Sequence, residues 1–323
     1  MGRRSMFLVL SIALGLVLAA CADEGTPAGE PTGPEPAEEP AEATAPPFPV
    51  TIDSAAGEVT IAARPERIVS LSPTATEMLF AIDAGEQVAA VDDQSTYPPE
   101  APMTDVSGFE PNVEAIAGYE PDLVVYATET GDLGSSLTGL GVTTLFQPAA
   151  ATLDDVYDQI EELGLATGHV AEAEELVTTM REEIDSITSA VEPPAEPLTF
   201  FHELDDTYYT VTSSTFIGQL YAMVGLENVA DAADDTGGGY PQLSAEYIVD
   251  ADPDLIFLAD TRCCGQSLRT VSRRPGWDRI TAVRTGNVIE LDDDVASRWG
   301  PRVVEYLRAI ATAIEAAEEA RAA

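Results

Sequence analysis

The chain of 323 residues contains no lysine, and all 15 of its basic residues are arginines. The absence of lysine excludes a phosphate-binding loop of the Walker A type and any chemistry through a lysine Schiff base. If ATP powers the system in which the protein works, another polypeptide hydrolyses it. Because 57 residues are acidic, the formal net charge is −42, which argues against binding to nucleic acid or to anionic lipid.

The sequence also lacks the motifs that two large classes of hydrolase need. It has no G-x-S-x-G turn to expose a nucleophilic serine and no H-E-x-x-H helix to hold zinc. Asp292 and Asp294 resemble a pair of glycosidase carboxylates, but in so acidic a chain a solvated loop is the stronger interpretation. We therefore expect a protein that is not an enzyme and has no cofactor, with a surface-anchored hydrolase as an alternative.

Residues 1–20 have the pattern of a lipoprotein signal peptide. Arg3 and Arg4 precede an apolar run that is too short to span a bilayer comfortably. The run ends in Leu-Ala-Ala-Cys, so Cys21 stands where such a signal needs a cysteine for lipidation. We expect an extracytoplasmic protein, lipid-anchored through Cys21 to the outer face of the cell membrane. An ordinary signal peptide, an uncleaved anchor and twin-arginine export remain alternatives.

Residues 21–48 are rich in proline, glutamate and alanine. They contain no basic residue, and the first large apolar residue is Phe48. Such a segment cannot bury a core, and we expect it to be a disordered tether. At about 3 Å per extended residue it would reach several tens of Å from a membrane.

Two distant segments share one pattern, Glu-x-Ile-x-x-x-x-Pro-Asp-Leu followed by apolar residues. The second copy lies 246 − 114 = 132 residues after the first, and the shared positions are Glu114/Glu246, Ile116/Ile248, Pro121/Pro253 and Asp122/Asp254. In each copy we expect the glutamate to begin a short helix, which must end before the proline. The apolar run that follows is typical of a buried parallel strand.

These repeats predict an α/β fold with two lobes of similar order, residues 49–151 and 195–323. Residues 152–194 between the lobes read as two connecting helices, the first opened by a capping box of Thr152 and Asp155. The second carries one apolar stripe at spacings of three and four: Val170, Ala173, Val177, Met180, Ile184, Ile187 and Val191. A helix of this length spans roughly 33 Å, so we expect a stiff connector.

Five segments, in order along most of residues 50–314, carry a family resemblance. The chain resembles the substrate-binding proteins of ABC importers for cobalamin and ferric siderophores, the class III periplasmic binding proteins, in RIVSLSPTATEMLFAI, YPPEAP, VSGFEPNVEAIAGYEPDLVV, YPQLSAEYIVDADPDLIF and SRWGPRVVEYL. The resemblance implies two Rossmann-like lobes joined by one long helix, with the ligand in the cleft between them. It also implies a monomer that captures an iron-siderophore or corrinoid chelate and delivers it to a membrane permease with separate ATPase subunits.

The resemblance gives Glu114 and Glu246 a role. In this family one glutamate on the outer surface of each lobe docks onto arginines of the permease, and these two positions match by motif. A pseudo-twofold protein that meets a twofold permease needs equivalent charges on its two lobes. The alternative is that each glutamate only stabilises the first turn of its helix.

The ligand should lie against loops at the carboxyl ends of the strands. From the resemblance and these loops we expect eight ligand-binding residues: Gln94, Phe109, Tyr126, His202, Tyr209, Tyr240, Arg298 and Trp299. Aromatic walls suit a large flat ligand, whereas Arg298 would suit an anionic iron chelate. For the aromatic residues, ordinary core packing is the alternative.

Cys263 and Cys264 are adjacent. In an oxidising compartment we expect a vicinal disulfide between them, with two free cysteines as the alternative. No further cysteine or nearby histidine completes a soft-metal site. A zinc- or manganese-binding importer protein is the nearest rival function, but the two histidines, His169 and His202, are too few for its usual site. We therefore expect no metal site in the protein itself.

Overall fold

A computed structural model describes residues 48–192 and 196–322. The predicted signal peptide, Cys21 and the tether up to residue 47 lie outside these residues. The strands are β1 (Val50–Ser54), β2 (Gly57–Ile61), β3 (Ile68–Leu71), β4 (Val88–Val91), β5 (Leu123–Tyr126), β6 (Thr143–Phe146), β7 (Thr199–Glu203), β8 (Glu227–Asn228), β9 (Leu255–Leu258) and β10 (Val288–Glu290). The helices are α1 (Pro73–Ala81), α2 (Val113–Ala117), α3 (Leu133–Gly139), α4 (Leu153–Thr167), α5 (Val170–Ala190), α6 (Phe216–Met223), α7 (Ala245–Ala251), α8 (Leu268–Val271), α9 (Thr281–Thr285), α10 (Asp293–Ser297) and α11 (Val303–Ala322).

Two parallel sheets of four strands form the centres of the two lobes. The strand order is β4-β3-β5-β6 in the first sheet and β8-β7-β9-β10 in the second. Each position in one sheet thus has a counterpart four strands later in the chain. Strands β3, β5 and β9 are buried at every residue, as continuous apolar runs in parallel sheets should be. The predicted pair of similar α/β lobes is confirmed.

The repeated segments occupy equivalent places in the two lobes. Helices α2 and α7 begin one residue before Glu114 and Glu246, and strands β5 and β9 begin 132 residues apart. Asp122 accepts hydrogen bonds from the backbone N–H groups of residues just before β3, at 2.8 and 3.1 Å. Asp254 accepts one from the N–H of Thr199, at the start of β7, at 2.9 Å. The shared aspartate therefore ties each helix-to-strand turn to the neighbouring strand.

Helix α5 is the predicted long helix, and it lies between the two sheets in chain order. Its buried residues, Ala173, Val177, Met180 and Ile184, belong to the predicted apolar stripe. It packs against α4 and α11. Helix α4 opens with the predicted capping box, but it packs against β1 and α1 of the first lobe. Residues 152–194 thus contain both predicted helices, and α5 has the apolar stripe expected of a connector.

An antiparallel hairpin of β1 and β2 precedes the first sheet, and the sequence analysis did not predict it. Its turn needs Gly57, whose φ of 111° is accessible to few other residues. Val50, Ile52 and Ser54 face inward and alternate with exposed residues. The hairpin packs against α4 and β6, so it covers part of the first lobe.

Candidate functional site

A cavity of about 270 Å³ lies between the first lobe and α10 of the second. Its first-lobe wall consists of loops after β3, β4 and β5, where parallel strands present their carboxyl ends. The lining residues are Leu71, Ser72, Pro73, Thr74, Asp92, Gln94, Gly108, Phe109, Ala127, Thr128, Asp294, Ser297, Arg298 and Trp299. The expected cleft between two lobes is therefore present, and four of the eight predicted ligand-binding residues line it: Gln94, Phe109, Arg298 and Trp299.

Arg298 lies in the cavity wall, but its guanidinium already has three acceptors. It donates to Glu77 Oε1 at 2.7 Å, to Asp294 Oδ1 at 2.8 Å and to the carbonyl oxygen of Gln94 at 3.0 Å. Only 9% of its side chain is exposed. The predicted role of Arg298 as a partner for an anionic chelate therefore conflicts with its contacts, because two carboxylates already neutralise it.

Glu77 is the centre of this charge network. It lies on α1, its side chain is 2% exposed, and it also accepts two hydrogen bonds from Arg302 at 2.8 and 2.5 Å. The hydrogen bonds and charge of Glu77 raise the pKa of Arg302. Two arginines of the second lobe thus share one buried carboxylate of the first. Sequence analysis missed Glu77, because nothing within helix α1 indicates a partner more than 200 residues away.

Two further contacts join the lobes beside the cavity. The indole N–H of Trp299 donates to Gln159 Oε1 on α4 at 3.1 Å. The Thr96 hydroxyl donates to Asp294 Oδ2 at 3.2 Å. The segment from Asp294 to Arg302 therefore contacts the first lobe through ion pairs with Glu77 and through these two hydrogen bonds.

Asp92 forms another part of the cavity wall, directly after β4. It is fully buried, and its Oδ1 accepts a hydrogen bond from the Gln94 N–H at 2.9 Å. Its Oδ2 has no hydrogen-bond partner among the described residues. Burial raises the pKa of this carboxyl group, and the Gln94 N–H opposes that shift. Sequence analysis named its neighbour Gln94 and missed Asp92, although its place at the carboxyl end of a strand was a usable signal.

The predicted aromatic residues divide into two groups. Phe109, on the cavity rim, is 72% exposed, and Tyr209 and Tyr240 are 42% and 53% exposed. Tyr209 and Tyr240 lie on neighbouring segments of the second lobe, where Tyr209 pairs with Gln242 in an antiparallel bridge. Neither tyrosine lines the 270 Å³ cavity.

Two predicted ligand residues belong to the core instead. Tyr126 is 4% exposed and packs on Phe146 at 5.0 Å between ring centroids. His202 is fully buried, and its Nδ1 lies 2.9 Å from the Tyr221 hydroxyl oxygen. Burial lowers the pKa of His202 to about 3, so the ring is neutral. Both predictions conflict with the structure, because these two side chains are buried in the core and do not line the cavity.

Cys263 and Cys264 are free and exposed, so the structure contradicts the expected vicinal disulfide. They lie in the loop after β9. Asp293 fixes that loop, because its carboxylate accepts hydrogen bonds from three consecutive backbone N–H groups. The donors are Thr261, Arg262 and Cys263, at 2.8 to 3.1 Å. This backbone clamp shapes the loop without a covalent bond between the sulfurs.

A buried acidic pair lies at the same edge of the second sheet. Glu203 ends β7, Asp260 follows β9, and both are fully buried. Arg274 donates to both oxygens of Glu203, at 2.5 and 2.6 Å. Burial and the neighbouring Glu203 raise the pKa of Asp260 to about 8. One proton is therefore retained by the pair well above the usual range of a carboxyl group.

Glu114 and Glu246 are both exposed, each in the first turn of its helix. Within residues 48–192 and 196–322, no three side chains of His, Cys, Asp or Glu are arranged to hold a metal ion. None of the helices described is both long and apolar enough to cross a membrane.

Comparisons with known proteins agree with this architecture. The profile of the periplasmic binding protein family matches residues 68–295. An uncharacterised ABC transporter substrate-binding lipoprotein of Bacillus subtilis is 33% identical over 277 residues, which cover 83% of this chain and 86% of the relative. A cobalamin-binding protein of Halobacterium salinarum is 33% identical over 309 residues, 92% of this chain and 83% of the relative.

Among solved structures, a possible iron-binding periplasmic solute-binding protein of Staphylococcus epidermidis is similar to this chain. It has a TM-score of 0.66 and 26% identity, and the match covers 77% of this chain and 98% of that one. The family profile and the relatives agree with the two lobes and the cavity between them. The chain therefore belongs to the periplasmic binding protein family, a family of solute-binding proteins, as its resemblance to class III members implied.

Proposed function

We propose that the protein is the substrate-binding component of an ABC importer, and that it captures a corrinoid in the cavity between its lobes. The observation that carries this proposal is the cavity itself, formed by strand-end loops of one lobe and by α10 of the other. Solute-binding proteins hold their ligands at such places. The halobacterial relative that aligns over 92% of the chain is named a cobalamin-binding protein.

The charges around the cavity support a corrinoid over a polyanionic ferric chelate. Asp92 and Asp294 lie in the wall, and the one arginine there, Arg298, is paired with Glu77 and Asp294. Because this arginine is already paired, the lining residues offer an anionic catecholate or carboxylate no free cation. The carboxamide groups of a corrinoid are uncharged and offer N–H donors to these oxygens.

The size and rim of the cavity fit partial enclosure of a large flat ligand. Its volume of about 270 Å³ lies just below the usual range of about 300–1,000 Å³ for ligand pockets. Phe109 presents an exposed ring at the rim. An aromatic face of this kind suits the edge or face of a macrocycle that extends beyond the enclosed space.

The remaining parts of the proposal concern the membrane. Cys21 is the lipid anchor on the outer face of the cell membrane, at the start of the tether of residues 21–48. Glu114 and Glu246 dock onto a permease whose ATPase subunits are separate chains, which agrees with the absence of lysine. The protein acts as a monomer.

Calorimetric titration of the purified protein with cyanocobalamin, heme, a ferric hydroxamate and Zn²⁺ tests the ligand. We expect saturable one-to-one binding of cyanocobalamin without chemical change of the ligand. Preferred binding of heme or of the ferric hydroxamate would replace the corrinoid and keep the importer function. Tight binding of Zn²⁺ alone would support the rival metal-importer function.

A further inference from the structure

The buried oxygen of Asp92 that has no partner requires an explanation. A buried polar atom without a hydrogen bond is destabilising, and such atoms are uncommon in folded proteins. Oδ1 of Asp92 is paired with the Gln94 N–H at 2.9 Å, whereas Oδ2 has no partner among the described residues. The residue is fully buried and yet belongs to the cavity wall.

Asp92 borders the cavity beside Gly108. A Cβ placed on Gly108 would lie 3.0 Å from Oδ2, so any side chain at that position would crowd this oxygen. Gly108 itself lines the cavity. With glycine at this position, no side chain crowds the carboxylate.

From this arrangement we infer that Asp92 is a specificity-determining residue, whose Oδ2 accepts a hydrogen bond from an uncharged N–H donor of the bound ligand. This inference rests on the proposed function and adds a chemical class to it: a metal complex that carries carboxamides. Burial destabilises the ionised form of Asp92, and an N–H donor from the ligand would stabilise that form again. A ligand carboxylate at the same place would instead face Asp92 with like charge.

The test compares Asp92→Asn with Asp105→Asn, which makes the same charge change at an exposed residue outside the cavity wall. The asparagine keeps an oxygen for the Gln94 N–H and replaces Oδ2 with a donor. We expect Asp92→Asn to weaken cyanocobalamin binding about tenfold or more, as loss of a hydrogen bond to a charged group should. We expect Asp105→Asn to bind like the unsubstituted protein, and equal melting temperatures would verify folding.

A matched ligand series makes the test reciprocal. The probes are cyanocobalamin monoacids, in each of which one corrin carboxamide is hydrolysed to a carboxylic acid. We expect one monoacid to bind poorly to the unsubstituted protein and to regain affinity in Asp92→Asn, because the amide donor and the carboxylate acceptor have exchanged places. Unchanged cyanocobalamin affinity in Asp92→Asn would overturn the role of Asp92 alone. Absence of corrinoid binding by the unsubstituted protein would overturn corrinoid capture and this inference together.

Discussion

At the scale of single residues, the buried acidic pair of Glu203 and Asp260 is the most unusual feature outside the cavity. Arg274 donates to both oxygens of Glu203 and to Gln266 Oε1, and to neither oxygen of Asp260. Neither oxygen of Asp260 has a hydrogen-bond partner among the described residues. The second carboxyl group is therefore stable in the core only while it holds a proton.

This pair makes folding stability depend on pH. The pKa of Asp260 rises from its usual 3.8 to about 8 in the folded protein, so the folded state binds more protons than the unfolded chain between these values. The contribution of Asp260 is fully present below the lower value and is lost as pH rises through about 8. We predict that the free energy of unfolding decreases from pH 7 to pH 8.5, where His202 is neutral in both the folded and the unfolded state, and that Asp260→Asn flattens this decrease in urea denaturation. An equal slope in both proteins would contradict the raised pKa.

At the scale of elements, helix α1 and the α10–α11 corner are joined through Glu77. Arg298 and Arg302 are 9% and 14% exposed, and both donate to this one carboxylate. Replacement of Glu77 would leave two buried guanidinium groups short of a counter-charge. We predict that Glu77→Gln lowers the free energy of unfolding by about 3 kcal/mol, the usual cost of breaking a buried ion pair.

The control for Glu77 is an exposed ion pair on the same chain. Glu183 pairs with Arg308 at 3.1 Å, and both side chains are about half exposed. We expect Glu183→Gln to lower the free energy of unfolding by less than about 1 kcal/mol. Equal effects of the two substitutions in urea denaturation would show that the Glu77 network contributes no more than a surface pair.

The same elements show why the sequence predicted some features and missed others. Strands β5 and β9 and the stripe on α5 were predictable, because apolar runs and helical periodicity are local patterns. The hairpin of β1 and β2 was missed, since its signal is a short alternation before Gly57. The burial of Tyr126 and His202 was missed too, because an apolar or aromatic run does not tell which residue faces the cleft and which faces the core.

At the scale of the whole molecule, the two lobes place Glu114 and Glu246 at equivalent exposed sites. We predict that Glu114→Ala combined with Glu246→Ala leaves ligand affinity unchanged and abolishes uptake in cells that carry the cognate permease. The loss should exceed the effect of either single substitution, because docking of two lobes onto two subunits is bivalent.

A control double variant removes the same charge from another exposed surface. The control combines Glu175→Ala with Glu182→Ala, and both residues are exposed on α5. Uptake should remain normal in this control. Normal uptake by the Glu114/Glu246 double variant would reduce these glutamates to residues that stabilise the first turns of α2 and α7.

The sequence predicted the two-lobe plan from an internal repeat, but the cavity wall needed the structure. Glu77, Asp92 and Asp294 come together with Arg298 from segments far apart in the chain, and no local spacing indicates such a meeting. Trp299 was found because it lies in a segment that resembles a family, and Gln94 because it follows a predicted strand. The residues that determine charge and hydrogen bonding in the cleft could therefore be identified only from tertiary contacts.

The most direct test of the account is the absorption spectrum of the protein after incubation with cyanocobalamin and removal of free ligand by gel filtration. We predict that the corrinoid bands elute with the protein at one equivalent per chain, and that the recovered ligand is chemically unchanged. Protein that elutes without the corrinoid bands, while the same preparation is folded by circular dichroism, would contradict corrinoid capture.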